Sequence, residues 1–309
     1  MKSFRLTKKL MGSAFEFIIN DENEFFAREC LQKGVKEVNR LEKKLTEFDT
    51  QSLTSEINQN AGIRPVCCDT ETFELINRSI QLSKITQGAF DITAPTLHKL
   101  YNFKNKAFEF PGTGEIEKIL KISGHKNIQL LENNKVFLRH KGMHINFAAI
   151  GKGYAADTVK RLWIKMGVKN GLINASGDLS VLGKNIHCES WTAGIPNPLN
   201  KSEILFHIPL GSSSIATSGN YEQFFHYKGQ KYSHNINPKT GLPLTKINSC
   251  SVISPSAELS DALSTAISVL DTKVGLHLIN QLPNTYAIII NDKNDIFYSE
   301  NIKLFTAAI

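Results

Sequence analysis

The chain lacks most of the short signatures from which function is commonly read. It has no G-x-G-x-x-G run after a strand, no Walker A loop, no G-x-S-x-G elbow and no H-E-x-x-H pair, which removes the standard marks of a dinucleotide oxidoreductase, a P-loop NTPase, a serine hydrolase and a zincin. Cysteine is sparse: Cys30, Cys67, Cys68, Cys188 and Cys250, an odd number without a C-x-x-C. That argues against a disulfide framework and against a zinc site. No apolar run is long enough to span a bilayer, and the N-terminal stretch has no apolar core of signal-peptide type. The chain as given is therefore expected to have no transmembrane segment and to be cytoplasmic, or periplasmic or membrane-anchored if a leader has been removed.

Charge is unbalanced but not blocked. Lys and Arg number 36 against 29 Asp and Glu, a formal net charge of +7. The basic residues are spread along the chain with no zinc-finger or RNP-like pattern, so no nucleic-acid partner is expected. A diffuse positive surface suits an anionic small molecule such as a phosphate ester.

What is present is ordinary globular material: 309 residues, 41% of them apolar, enough for a real core. "LMGSAFEFII" (10–19) alternates as a strand does. Asp21 with Glu24 has capping-box spacing before a long helix with an apolar stripe at Leu31, Val35, Val38, Leu41 and Leu45. Further helices are expected over 69–86, ended by Gly88, and over 114–123, 150–167, 258–270 and 272–281. Strands are expected at "NIQLL", "KVFLR", "HINFA", "GLINAS", "WTAGI", "EILFHIP", "SIATS", "SCSVIS" and "YAIII", with a last strand pair. Helices and strands mix without a regular βαβ beat, which predicts an α+β fold with mixed or antiparallel sheets. With no repeat, low-complexity tract or linker, residues 1–309 are expected to form one compact domain, which allows two lobes.

Four polar islands stand out. In "FAAIGKGYAAD", Gly151 and Gly153 flank Lys152 at a strand-to-helix junction, either an anion site of backbone amides plus a cation or a plain helix start. In "NASGDLSVLG" a strand ends in Ser176-Gly177-Asp178, a turn that also permits close backbone approach to a ligand. "ATSGNYEQFFHYKGQKYSHNINPKTGLP" joins Thr217-Ser218-Gly219 to Tyr232-Ser233-His234 and a Pro-Lys-Thr-Gly turn. In "ELSDALSTAISVL", Asp261 and Thr265 are four apart and so share one helix face. They are either a helix-end carboxylate and a back-bonded hydroxyl, or two oxygen ligands for a hard cation such as Mg²⁺.

In order along the chain, these segments resemble the ApbE family of FAD:protein FMN transferases. "LMGSAFEF" is similar to the family's M-G-T strand, and "EFDTQSLTSEINQN" to its SEI-x-x-x-N segment. "GAFDITAPTLHKLYNF" follows F-D-x-T-x-x-P-L-x-x-L-W-x-F with Tyr101 at the Trp position. "INFAAIGKGYAAD" resembles D-L-G-G-I-A-K-G-Y-A-x-D, "INASGDL" resembles I-N-x-G-G-D-L, and the last two islands match the last two family blocks. The resemblance implies that FAD is split at its pyrophosphate, FMN passes to a Thr or Ser hydroxyl of an acceptor flavoprotein, and AMP leaves. An FAD pyrophosphatase and a non-catalytic FAD-binding protein are the alternatives.

The resemblance also implies a site. Asp261, Thr265 and the Ala149 carbonyl map onto the Mg²⁺ ligands, and Lys152 adds charge at the phosphates. Asp261, Lys152 and His234 are the expected catalytic groups. Met11, Phe48, Tyr101, Phe103, Asn146, Ser218, Gly219 and Asn235, together with Lys152, map onto positions that contact FAD. Three departures are visible: Asn146-Phe147-Ala148-Ala149 stands for D-L-G-G, Gly151 for Ala, and Ser176 for Gly.

Overall fold

The chain begins with a hairpin. β1 (Lys2–Leu10) pairs antiparallel with β2 (Ser13–Asp21), in register from Lys2↔Asp21 to Leu10↔Ser13. Met11 and Gly12 join them with φ of 48° and 74°, the two left-handed residues that a tight hairpin turn needs. The strand expected over 10–19 thus starts at Ser13, and the segment before it, with no expected element, is also a strand. Its lysines mask the alternation of Phe4 and Leu6. Lys8 and Lys9 are exposed on what proves to be the sheet edge, where lysine discourages further pairing.

The computed structural model describes residues 1–101, 110–198, 200–219, 224–227, 230–233, 235–245, 247–300 and 302. After the hairpin come α1 (Glu24–Leu45), α2 (Leu53–Gln59), β3 (Val66–Cys67), α3 (Thr70–Ile85), α4 (Pro95–His98), α5 (Thr113–Ile122), β4 (Ile128–Leu131) and β5 (Lys135–Leu138). The second half has α6 (Gly151–Met166), β6 (Gly171–Ala175), β7 (Asp178–Leu182), β8 (Thr192–Asn197), β9 (Asn200–Pro209), β10 (Ser214–Gly219), β11 (Phe224–Tyr227) and β12 (Gln230–Ser233). It closes with β13 (Ile247–Ser254), α7 (Ala257–Val269), α8 (Thr272–Asn280), β14 (Tyr286–Asn291) and β15 (Ile296–Tyr298). The α+β class holds. Among the described residues no helix is long and apolar enough to cross a membrane, and all five cysteines are free thiols.

The Cα framework divides into two units. One comprises residues 1–42, 150–219 and 248–309, the other 43–149 and 220–247. The first unit holds an eight-stranded sheet in the order β1-β2-β6-β7-β10-β13-β14-β15, and a β8–β9 ribbon. Pairing is antiparallel from β1 through β13 and again between β14 and β15. Trp163 of α6 is fully buried in this unit. Its indole Nε1 donates to the Cys30 carbonyl at 2.9 Å, and its ring meets Phe17 edge-on. Gly34 and Gly171 leave room for it: a Cβ on Gly171 would lie 2.9 Å from the indole. The second unit has a three-stranded β3-β5-β4 sheet, the β11–β12 hairpin and helices α2 to α5.

Local signals placed most elements. Asp69 caps α3 by accepting the Thr72 N–H, and Gly88 follows that helix at φ 82°. α1 differs. Its cap is Asn23, which accepts the Phe26 N–H at 3.1 Å, while Asp21 accepts the Asn23 N–H. The expected strand "HINFA" is not a strand: residues 144–148 have no regular hydrogen-bond ladder. Side chains satisfy that backbone instead. Asn58 bonds Ile145 in both directions at 2.8 and 2.9 Å, and the Thr96 hydroxyl bonds His144 in both directions.

Candidate active site

Helix α7 starts at the Ser256 cap, which accepts the Leu259 N–H at 3.2 Å. The helix is buried along most of its length and packs on β10 and α6. The crossing with α6 is so close that only glycine fits at 153. A Cβ there would lie 2.2 Å from the Ala257 carbonyl oxygen and 2.9 Å from the Asp261 Cβ. This approach lets the Gly153 N–H, in the first turn of α6, donate to Asp261 Oδ2 at 3.1 Å. The helix-start amide therefore holds a protein carboxylate, as the positive end of a helix favours.

Around this bond sits a buried polar cluster. Lys152 Nζ lies 3.4 Å from Asp178 Oδ2, at the start of β7. Asp157, further along α6, accepts the Ser180 hydroxyl at 2.8 Å and the Glu258 N–H at 2.9 Å, tying α6, β7 and the first turn of α7 together. Asp157, Asp178, Glu258 and Asp261 are all buried. Burial, and then the neighbouring Asp178 charge, push the Asp261 carboxyl up to about 8, against the pull of Lys152 and the Gly153 N–H. Buried carboxylates are costly unless cations or hydrogen bonds offset their charge.

Thr265, one turn after Asp261, is half-buried. Ser264 and Ser268 donate back to the carbonyls of Asp261 and Ser264, each at 2.9 Å. The Thr265 hydroxyl makes no such bond, and among the described residues it has no partner. Carboxylate and hydroxyl oxygens are the donors Mg²⁺ takes, with waters and phosphates for the rest. Among the described residues no three His, Cys, Asp or Glu form a metal-holding group; the expected set needs only one carboxylate. The residues present fit the ion.

The other expected residues are placed as follows. Met11 is the hairpin-turn residue, and Ser218 and Gly219 end β10, half-buried. Phe48 is 90% exposed. Tyr101 is buried with Leu97 and Ile236, and its hydroxyl donates to the Gly241 carbonyl at 2.6 Å, bracing the Pro-Lys-Thr-Gly turn. Burial pushes that phenol up to about 12. The Asn235 carbonyl accepts the Leu244 N–H at 2.9 Å. Ala149, half-buried, precedes the α6 cap residue Ile150. Asn146 Nδ2 donates to Glu47 Oε1 at 2.7 Å. Phe103 and His234 lie outside the described residues. Sequence reading left Asp157, Asp178 and Glu47 without a role. The first two stand inside quoted islands, where an Asp buried by its turn or helix face was the available signal; Glu47 opens the quoted "EFDTQSLTSEINQN" segment, where nothing local marked it out.

The profile of the ApbE family matches residues 11–290. The chain belongs to the ApbE family. A protein of Buchnera aphidicola subsp. Schizaphis graminum named FAD:protein FMN transferase is 31% identical over 304 residues, covering 96% of this chain and 88% of the relative. One from Klebsiella pneumoniae with the same name is 28% identical, covering 96% and 91%. The crystal structure of an ApbE protein from Thermotoga maritima superposes with a TM-score of 0.88 at 28% identity, covering 97% of each chain. The Pseudomonas stutzeri flavinyl transferase ApbE, at 23% identity and a TM-score of 0.86, shares the fold over 97% of this chain. In this ApbE chain the family's Gly-Gly turn is Ser176-Gly177, with φ of 59° and 105°.

Proposed function

We propose that this protein is a Mg²⁺-dependent FAD:protein FMN transferase. The observation that carries the reading is the half-buried Lys152 with the buried Asp178 and Asp261, one turn from a Thr265 hydroxyl that has no partner among the described residues, in a chain whose relatives bear that name. A hydroxyl oxygen of a Thr or Ser on an acceptor flavoprotein bonds to the FMN phosphorus. The pyrophosphate P–O bond breaks, AMP leaves with the bridging oxygen, and the hydroxyl proton passes to solvent or a base. Asp261, Thr265 and the Ala149 carbonyl would hold the metal. When bound, Mg²⁺ offsets negative charge on the pyrophosphate as that bond breaks. Lys152 brings a point charge to the same phosphates, and Asp178 orients its ammonium. Gly153 fixes the Asp261 carboxylate through its N–H.

Incubation with FAD, Mg²⁺ and an acceptor protein carrying the target hydroxyl tests the reading. The expected result is flavin fluorescence that stays with the acceptor on a denaturing gel, with one AMP released per flavin attached. Free FMN and AMP with no labelled protein would make the protein a pyrophosphatase. Asp261→Ala should abolish the metal-dependent turnover while FAD binding partly survives, because the carboxylate acts mainly through the transition state. Full turnover by that variant would overturn the metal assignment.

A further inference from the structure

The irregular segment 142–149 has a carboxylate at its centre. Glu47 Oε1 accepts the Asn146 Nδ2 at 2.7 Å, and Glu47 Oε2 lies 2.6 Å from His144 Nε2. The Asn146 Oδ1 accepts the Ala148 N–H at 3.2 Å, and the Asn146 N–H donates to the Ile92 carbonyl. Both polar ends of the Asn146 side chain are therefore engaged within the protein. Among the described residues the Glu47 carboxylate is not saturated: two of its about four acceptor positions are used, and its side chain is 17% exposed. Burial pushes this carboxyl up, but the hydrogen bonds from His144 and Asn146 and the His144 charge outweigh it and hold it below its ordinary value.

Read from sequence, Asn146 removes a negative charge where the family has Asp. The structure shows a carboxylate within hydrogen-bond distance of that very amide. We propose that Glu47 is the specificity-determining carboxylate of the FAD site, accepting a hydrogen bond from a donor group of FAD, with Asn146 as the positioning residue that aims it. The proposal rests on the FAD reading above. An Asp at 146 would face Glu47 as a second carboxylate, so the Asn at this position and the Glu at 47 form one unit: an amide–carboxylate pair with the charge moved to the partner.

Three variants test it: Glu47→Gln, Asn146→Asp, and the two together. Glutamine keeps the shape and reach of Glu47, removes the charge, and puts an NH2 donor in place of one of its two acceptor oxygens. Metal-free protein is titrated with FAD by flavin fluorescence, and each variant is melted in parallel. Glu47→Gln should weaken FAD binding about tenfold, the difference between a charged and a neutral acceptor, and lower the melting temperature at neutral pH, because His144 and Asn146 favour the charged carboxylate in the fold. Asn146→Asp should weaken FAD binding and lower the melting temperature at pH 8. The double variant rebuilds an amide–carboxylate pair with the roles exchanged and should recover FAD affinity to within about threefold. Titration with FMN and with AMP separately tells which half of FAD supplies the donor. Unchanged FAD affinity in Glu47→Gln, with or without a lower melting temperature, would reduce Glu47 to a brace for the segment and overturn the proposal. If the native protein binds no FAD at all, the underlying functional reading fails first and this one falls with it; FAD binding by the native protein together with an insensitive Glu47→Gln isolates failure to the present proposal.

Discussion

Asp261 sits where a carboxylate is costly, and that cost has a measurable pH signature. Its folded value, about 8, lies above the ordinary 3.8, so the folded state binds the proton more tightly than the unfolded state. The stability this group contributes is present below about pH 4 and is lost as pH rises to about 8. Asp261→Asn keeps an acceptor for the Gly153 N–H and removes the charge. Metal-free Asp261→Asn should therefore melt above the native protein, by a margin that grows from pH 4 to pH 8 and is level beyond, reaching roughly 5 °C or more. A margin independent of pH would show that Asp261 titrates normally. Ser176 is a second residue-scale case. Its φ of 59° is a conformation that costs a non-glycine residue about 1–2 kcal/mol. Part of that gain is returned by the extra freedom of glycine in the unfolded chain. Ser176→Gly should still stabilise the protein by about 0.5–1 kcal/mol, read as a higher midpoint in urea at unchanged slope. No gain would mean that the serine side chain stabilises the turn in some other way.

At the scale of elements, the site depends on how closely α6 and α7 cross. The "G-K-G" spacing allows either helix-start amides that receive a ligand's phosphate or a plain helix start. In the structure the Gly153 amide is bonded to Asp261, and the missing Cβ at 153 serves the crossing. Gly153→Ala must push the α7 backbone away, since the nearest atom is a carbonyl oxygen and cannot rotate aside. We expect a loss of about 3 kcal/mol, at the upper end for overpacking a core, together with loss of the proposed metal-dependent turnover even where the variant is folded. Chemical denaturation and a turnover assay at low temperature check the two effects separately; native stability in Gly153→Ala would show that the crossing is loose. The segment 144–148 illustrates the converse. Its alternating "HINFA" pattern is what a strand shows, yet Asn58 and Thr96 supply the bonds a neighbouring strand would have made.

At the scale of the whole molecule, the sequence determined a good deal without help. The apolar periods placed the long helices and many of the strands, though not β1 or α2, because local backbone preferences and caps such as Asp69 and Ser256 act over one turn. The ordered motifs pointed to the family, and the lack of a βαβ beat pointed to the α+β class. The pairing of Asp261 with Thr265 was legible because four residues on a helix always share a face. What only the tertiary structure decided are the contacts between distant parts of the chain: Gly153 with Asp261 across 108 residues, Glu47 with Asn146 across 99, and Asp157 with Glu258 across 101. Charge balance in a buried site depends on which groups lie within a few ångströms, and distance in space has no local trace in sequence. Asn146 reads as a lost charge until Glu47 is beside it, and Gly153 reads as an anion site or a plain helix start until the Ala257 carbonyl fills the space its side chain would need.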